Sequence, residues 1–242
     1  MPLPDHLHEE PNRPPQPLGP GLLLNIPLLA ALPIEQAQEL AAQSFKRRYM
    51  RGEYILEQGQ HGHSLYILLQ GKAHVLRTDN RGREVILDVL RTGDHAGEMC
   101  LIDNQPHSAS VRCETNCDVL ELPGAVLART LPDRPVLSWM LMRTLVKRLR
   151  RAHRQINSLA LKDVPGRVMR ALHDMSEPEQ IGSRIVRERV SRHELARMVG
   201  ASREMVSRVV LELATQGKLE LRDDGGVRLL LPNKELNARP PE

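Results

Sequence analysis

Aromatic residues are scarce in this sequence: Phe, Trp and Tyr together make up 2% of its 242 residues. Because the apolar share is still 40%, a core must be built from Leu, Val, Ile, Met and Ala. Long hydrophobic runs are missing too, since the stretch GLLLNIPLLAAL at 21–32 is too short to span a bilayer and contains Pro27. The first residues lack the basic start and apolar run of a signal peptide. We therefore expect a soluble, cytoplasmic protein that does not act at a membrane.

Cysteine is rare, and its three residues are Cys100, Cys113 and Cys117. An odd number of cysteines without a secretory signal favours a reducing compartment over a disulfide framework. The pair Cys113 and Cys117 is not followed by a second cysteine pair or a histidine pair at zinc-ligand spacing. We expect three free thiols, and the sequence assigns them no role.

Residue groups that carry catalysis are missing as well. No nucleophile–base pair, Walker loop or pair of facing carboxylates stands out. The H-x-H pattern of His61 and His63 lacks the nearby glutamate that a metal-binding cupin barrel requires. The sequence therefore predicts a protein that is not an enzyme and holds no metal.

The composition and the residue pattern of the chain change along its length. The prolines of residues 1–20 predict a disordered tail, and residues 22–44 look helical, with Pro33 near a helix start. Between residues 45 and 122, single glycines alternate with short apolar runs that are typical of strands: YILE, LYILL, AHVLR, EVILDVL, SASVRC and DVLEL. Many short strands at this spacing predict an antiparallel barrel or roll, which we place at 21–134.

A long helix is expected from 135 to 161. Its apolar residues repeat at alternating spacings of three and four and form an a/d seam: Met142, Leu145, Leu149, Ala152, Ile156 and Leu159. Basic residues flank this narrow stripe, and residues 134–162 contain no acidic residue. The pattern favours a coiled coil between two subunits, although a helix packed on its own domain carries a similar stripe.

The stretch VSRHELARMVGASREMVSR at 190–208 contains two helix starts separated by a glycine. Ser191 with Glu194 has the spacing of a capping box, Gly200 stops the first helix, and Ser202 begins the second. Two short helices joined by a tight turn make a helix-turn-helix. With a helix before them and a hairpin after them in KLELRDDGGVRLLLP, residues 162–242 are predicted to form a winged helix-turn-helix domain.

The second helix of this motif has two different faces. At about 100° per residue, one arc holds Arg203, Glu204, Ser207 and Arg208, and the opposite side holds Met205, Val206, Val209, Val210 and Leu213. Arginine binds guanine O6 and N7 in a bidentate manner, and glutamate accepts from cytosine N4. A helix with solvated charges has the same pattern. The caps, the hairpin and the surrounding arginines nevertheless favour a base-reading helix, and those arginines are Arg184, Arg187, Arg189, Arg192 and Arg197.

The segment GEMCLIDNQPHSASVRC at 97–113 interrupts the strands. Backbone amides at this turn, together with Ser108, are suited to hold a phosphate, and Glu98 is suited to accept from a sugar hydroxyl. A tight structural turn explains the same residues, so the pattern leaves both interpretations open.

From about 22 to 232 the chain resembles the CRP/FNR superfamily of bacterial transcription regulators. RGEYILEQGQHGHSLYILLQGKAHV resembles the entry of its β-roll, GEMCLIDNQPHSASV its phosphate-binding cassette, and VSRHELARMVGASREMVSRVV, the most specific match, its DNA motif. The resemblance implies an α+β homodimer in which an antiparallel β-roll (a double-stranded β-helix) precedes a dimerisation helix and a winged helix-turn-helix.

Roles for individual residues also follow from the resemblance. Arg203, Glu204 and Arg208 are expected to read a TGTGA-like half-site in double-stranded DNA. Contacts to phosphate are expected from Ser191, Arg192 and Ser202. RNA polymerase is the expected protein partner.

The cassette departs from the cyclic-AMP pattern of that superfamily. His107 stands where cyclic-AMP-binding members have the arginine that pairs with the cyclic phosphate, and a neutral imidazole is a weak phosphate partner. Ala152 and His153 stand where those members have hydroxyl residues that touch the adenine. The iron–sulfur branch is excluded, because its cysteines lie near the N-terminus and none here precedes Cys100.

The effector site implied by the resemblance consists of Gly97, Glu98, Met99, His107, Ser108, Ala109 and His153. Its ligand stays open between cyclic AMP, cyclic di-GMP, haem and no ligand at all. A signal-binding module without DNA function would lack the winged motif at 190–231, and a small β-barrel enzyme would need the missing catalytic groups. The sequence therefore predicts a homodimeric, DNA-binding transcription regulator with an effector-sensing roll.

Overall fold

The computed structural model describes residues 20–30, 32–130, 135–180 and 182–230. The tail predicted at 1–20 lies outside these residues, except for Pro20, and so does 231–242 at the end of the predicted DNA-binding domain. The chain divides into two compact units, residues 1–147 and 148–242.

The first unit opens with two short helices, α1 (Pro20–Leu24) and α2 (Ile34–Ala42), where one helical stretch was expected. Pro27 follows the end of α1 and disfavours a helical conformation of the residue before it. Pro33 occupies the N-cap position of α2, close to the expected helix start. The buried Leu23 and Leu40 join a core cluster that includes strand residues of the roll.

Eight strands of the described chain form two four-stranded antiparallel sheets, which together make the predicted β-roll. The strands are β1 (Phe45–Tyr49), β2 (Tyr54–Leu56), β3 (Ser64–Gln70), β4 (Lys72–Thr78), β5 (Glu84–Arg91), β6 (His95–Ala96), β7 (Ser110–Cys113) and β8 (Cys117–Pro123). One sheet has the order β1-β8-β3-β6 and the other β2-β7-β4-β5. Two helices complete the roll, α3 (Glu98–Asp103) and α4 (Gly124–Thr130). All six predicted strands are present.

The two remaining strands of the roll were not predicted. The sequence of β1, FKRRY, has no apolar run, because this strand lies at a sheet edge and its charges pair with β8. Lys46 Nζ lies 2.8 Å from Asp118 Oδ2, and Arg47 Nε lies 2.7 Å from Glu121 Oε2. The strand β6 is too short, at two residues, to show a periodic pattern.

The core of the roll is aliphatic, as the composition requires. Its fully buried side chains include Leu65, Ile67, Leu76, Ile86, Leu120 and Leu122. All three cysteines are buried free thiols, as expected. Within the described ranges, no helix combines the length and apolar character needed to cross a membrane.

The long helix α5 (Pro135–Leu161) has the predicted bounds. Most side chains of the predicted seam are exposed in the single chain, and Leu145 is half-buried. Met142, Leu149, Ile156 and Leu159 are each between 49% and 59% exposed. An apolar stripe on a strongly basic helix is thus left open to solvent.

The second unit continues with α6 (Val164–Met175), β9 (Glu177–Gln180), β10 (Ser183–Val186), α7 (Arg192–Val199), α8 (Arg203–Thr215), β11 (Leu219–Leu221) and β12 (Val227–Leu230). The predicted hairpin is formed by β11 and β12, and the sheet order is β11-β12-β10-β9. The strands β9 and β10 were not predicted, since their sequences EPEQ and SRIV are largely polar. Helices and sheet share one core, which includes Val168, Leu172, Leu195, Val206 and Leu229.

Candidate nucleic-acid interface and effector site

The first helix of the predicted DNA motif, α7, begins and ends at the expected residues. Ser191 Oγ accepts a hydrogen bond from the backbone N–H of Glu194 at 3.0 Å, which satisfies one donor of the first turn. Gly200 adopts a left-handed conformation (φ 65°) and ends the helix. Leu195, Ala196 and Val199 are buried in the core of the domain.

The second helix, α8, is capped in the same way. Ser202 Oγ accepts from the backbone N–H of Met205 at 3.2 Å. The predicted inner face is buried at Val206, Val209, Val210 and Leu213. The prediction for Met205 was wrong, because its side chain is 40% exposed. Met205 lies at the edge of the apolar arc, about 90° from the centre of the four buried positions at 100° per residue.

The predicted base-reading residues share the outer face of α8. Arg203, Glu204 and Arg208 are exposed, and Ser207 is half-buried. Hydrogen bonds from its own backbone N–H and from Ser202 hold the pKa of the Glu204 carboxyl below its usual range, and Arg203 adds to this effect. The face therefore offers two guanidinium groups and one ionised carboxylate.

The predicted phosphate contacts lie at the starts of α7 and α8. Ser191 and Ser202 are exposed N-cap residues, beside backbone N–H groups and the positive end of a helix dipole. Arg192 is half-buried, and burial lowers the pKa of its guanidinium. These groups are suited to hold a phosphate on either side of the turn.

Two arginines that were expected to add charge here have structural partners instead. Arg184 donates from Nε to Ser176 Oγ at 2.8 Å and from Nη2 to the Ser176 carbonyl at 2.6 Å. These bonds tie β10 to the residue that follows α6. Arg187 Nε lies 3.7 Å from Glu177 Oε2. No local pattern predicted either pairing, because Ser176 directly precedes the unpredicted strand β9 and Glu177 lies in it.

The hairpin of β11 and β12, the wing, has its arginines paired with carboxylates. Arg228 donates to Glu179 at 2.6 Å and to Glu220 at 2.8 Å. Arg222 Nη2 lies 2.9 Å from Asp224 Oδ2 in the turn between the strands. The wing therefore adds little net positive charge to the interface.

The cassette begins where β6 meets α3. Gly97 has φ 92°, and a Cβ there would lie 2.6 Å from the Ser64 carbonyl oxygen, so only glycine fits. Glu98, at the start of α3, is buried (3% exposed), whereas Met99 and Ser108 are exposed and Ala109 is buried. The first unit thus holds six of the predicted effector residues in one segment, and His153 is an exposed residue of α5 in the second unit.

His107 is buried and fastens the cassette to the loop before β3. Its backbone N–H donates to the Gln60 carbonyl at 2.8 Å, and its carbonyl accepts from the Gly59 N–H at 2.8 Å. The imidazole lies against Gly62. Burial, and secondarily the charge of His61, lowers the pKa of His107, while Glu98 acts in the opposite direction. The imidazole is therefore neutral at pH 7.

A thiol makes a second attachment of the same loop. Cys100 Sγ donates to the Gly62 carbonyl at 3.0 Å and lies 3.3 Å from the Gly62 N–H, which donates to it. Sequence reasoning missed both Gly62 and Cys100, because a contact across 38 residues leaves no local pattern. Within the part of the chain that the structure describes, no three His, Cys, Asp or Glu side chains are grouped to hold a metal ion.

Comparisons with known proteins agree with both units. A model of the cyclic nucleotide-binding domain matches residues 46–133, and a model of the Crp-like helix-turn-helix domain matches 166–235. The CRP-like cAMP-activated global transcriptional regulator of Mycobacterium tuberculosis is 31% identical over 194 residues, which cover 79% of this chain and 85% of that protein. The chain belongs to the CRP/FNR family of transcription regulators.

Two other similar proteins support membership of the CRP/FNR family. The cAMP-activated global transcriptional regulator Vfr of Pseudomonas aeruginosa is 32% identical over 198 residues, covering 78% of this chain and 91% of Vfr. The solved structure of CLP, the c-di-GMP responsive global regulator of Xanthomonas campestris, is 31% identical with a TM-score of 0.69 and covers 83% of this chain and 100% of that one. The CRP/FNR family consists of transcription regulators, so the protein is a DNA-binding regulator and not an enzyme.

Proposed function

We propose that this CRP/FNR protein is a cytoplasmic homodimer that reads a TGTGA-like palindrome and acts on transcription through RNA polymerase. The observation that carries the proposal is the outer face of α8. It presents Arg203, Glu204 and Arg208 to solvent on a helix that is fixed from behind by buried valines.

The polar groups of that face match a half-site with G·C base pairs, since they can contact both the guanine and the cytosine edges. Each exposed arginine is able to make a bidentate contact to guanine O6 and N7, and the ionised Glu204 accepts from cytosine N4. Ser207 adds a hydroxyl on the same face. Ser191, Arg192 and Ser202 then hold the flanking phosphates and fix the position of the helix in the major groove.

The exposed seam of α5 supports the proposed dimer. An apolar stripe with heptad spacing is stabilised when a second copy covers it, and the flanking basic residues remain solvated. A two-fold dimer presents two copies of α8, and a palindrome places its half-sites about 34 Å apart to receive them.

The roll is the proposed effector site, through Gly97, Glu98, Met99, His107, Ser108 and Ala109, with His153 from α5. Relatives are named as cAMP-activated, and CLP as c-di-GMP responsive. In this chain His107 is neutral and buried, which weakens pairing with a cyclic monophosphate. This observation favours cyclic di-GMP, or regulation without a ligand, over cyclic AMP.

Fluorescence anisotropy with a labelled TGTGA-type palindrome tests the proposal at one fixed salt concentration, with a scrambled duplex as the control. We expect tight binding of the palindrome alone and a change of affinity with cyclic di-GMP but not with cyclic AMP. A His107→Arg variant is expected to gain a response to cyclic AMP. Equal affinity for palindrome and scrambled duplex would contradict the DNA assignment, and a full response of the wild type to cyclic AMP would contradict the effector assignment.

A further inference from the structure

An arginine outside the helix-turn-helix holds its turn. Arg167, in the first turns of α6, donates from Nη1 to the carbonyl of Val199 at 2.8 Å. Val199 is the last residue of α7, and its carbonyl belongs to the final turn, where no later N–H of the helix is present to donate to it. The bond therefore attaches α6 to the exact place where the chain leaves α7.

The attached turn is short and sets the direction of α8. Gly200 and Ala201 both donate to the Ala196 carbonyl, and α8 begins two residues later at its cap Ser202. Arg167 and Leu159 both border this turn, because a Cβ built on Gly200 would lie at ordinary contact distance, 3.8 Å, from Arg167 Nη1 and from Leu159 Cδ2. The turn is thus bounded by Arg167 on one element and by Leu159 near the end of α5.

The guanidinium of Arg167 faces the protein. The side chain is half-buried, and its Nε is buried with no hydrogen-bond acceptor among the described residues. The Nη1 donor is engaged by the Val199 carbonyl and is therefore not offered to a phosphate. The geometry therefore separates Arg167 from exposed arginines such as Arg203.

We propose that Arg167 is a positioning residue for DNA reading, which fixes the turn at 200–202 and with it the angle at which α8 presents its base-reading face. This inference rests on the proposed function, because it assigns a residue that acts through α8. Loss of the bond removes none of the base-contacting side chains but allows α8, which carries them, to tilt.

Arg167→Met removes the donor and keeps an unbranched side chain, and Arg170→Met is the matched control. Arg170 lies on the same helix and pairs with Asp174 at the surface, so its loss removes the same charge without touching the turn. We expect Arg167→Met to weaken binding of the palindrome about tenfold, comparable to one lost bidentate base contact, with an unchanged dependence of affinity on salt. Arg167→Lys, which retains one donor, is expected to recover part of the affinity.

Hydrogen–deuterium exchange of the full-length variants gives a measurement that needs no DNA. Amides of the turn at 200–202 are expected to exchange faster in Arg167→Met than in the wild type and in Arg170→Met. Unchanged exchange at the turn in Arg167→Met would overturn the role of Arg167. Failure of the wild type to bind the palindrome would contradict only the proposed function, because the exchange measurement does not depend on DNA. A salt dependence reduced by about one phosphate contact would also overturn it, since Arg167 would then bind DNA directly. A lower melting temperature with wild-type affinity in the cold would show a purely structural role and overturn it too.

Discussion

His107 lies so close to Gly62 that a Cβ at position 62 would overlap its Nε2. The imidazole thus occupies the space between the loop before β3 and the cassette. At the position where the resemblance implies a phosphate-binding arginine, the buried His107 acts as a packing group.

Gly62→Ala tests this contact directly. The backbone of Gly62 is not left-handed, so the substitution adds no backbone strain and acts through the overlap with His107. Overpacking of this kind costs about 1–3 kcal/mol of unfolding free energy. Chemical denaturation is expected to show that loss in the wild-type background and almost none in a His107→Ala background. Equal losses in the two backgrounds would show that the His107 imidazole does not lie against residue 62.

The lowered pKa of His107 predicts a pH dependence of stability. Its folded-state pKa lies below the ordinary 6.5, so the folded protein binds this proton less readily than the unfolded chain. The contribution to stability is present above about pH 6.5 and is lost as the pH falls through the lowered value. Unfolding free energies between pH 7.5 and 5 are expected to fall less in His107→Gln than in the wild type. Part of the slope remains, because burial and Arg184 also lower the pKa of His173. If the unfolding free energy changed with pH equally in His107→Gln and in the wild type, the lowered pKa of His107 would be contradicted.

Arg203→Ala is expected to cost about 1–3 kcal/mol of binding free energy per half-site and to relax the preference for one guanine. The measurement is competition binding with half-sites that carry single base-pair changes. Arg192→Ala serves as the comparison, because a lost phosphate contact weakens all sequences alike and reduces the salt dependence. If Arg203→Ala weakened every duplex equally, the residue would be a phosphate contact.

Ile156→Lys is expected to convert the proposed dimer to monomers, since it places a charge within the apolar seam of α5. Its neighbour Asn157 is also exposed but lies off the seam, so Asn157→Lys adds the same charge as a control. Sedimentation velocity at several concentrations measures the difference. A dimer in both variants would mean that α5 does not form the interface.

The elements that the sequence predicted well are those with a local pattern. The caps Ser191 and Ser202, the left-handed Gly200 and the bounds of α5 are set by neighbouring residues, and all are confirmed. The apolar strands of the roll were found by the same kind of signal. The dimer and the roles of single residues on α8 stay predictions.

What the sequence did not reveal depends on distant partners. The strand β1 is stable because Lys46 and Arg47 meet carboxylates of β8, which follow more than 70 residues later. Arg184 was predicted to add positive charge for DNA binding, but its guanidinium is hydrogen-bonded to Ser176. His107 is likewise buried against Gly62 only in the folded roll, because the two residues lie far apart in the sequence and no local pattern links them.

Selection of bound duplexes from a random pool, with the full-length protein at fixed salt, tests most directly the claim that α8 reads bases in a dimer. The account predicts enrichment of two inverted TGTGA-like half-sites, with centres about 34 Å or one helical turn apart. Enrichment of no motif, or of a single half-site without an inverted partner, would contradict it.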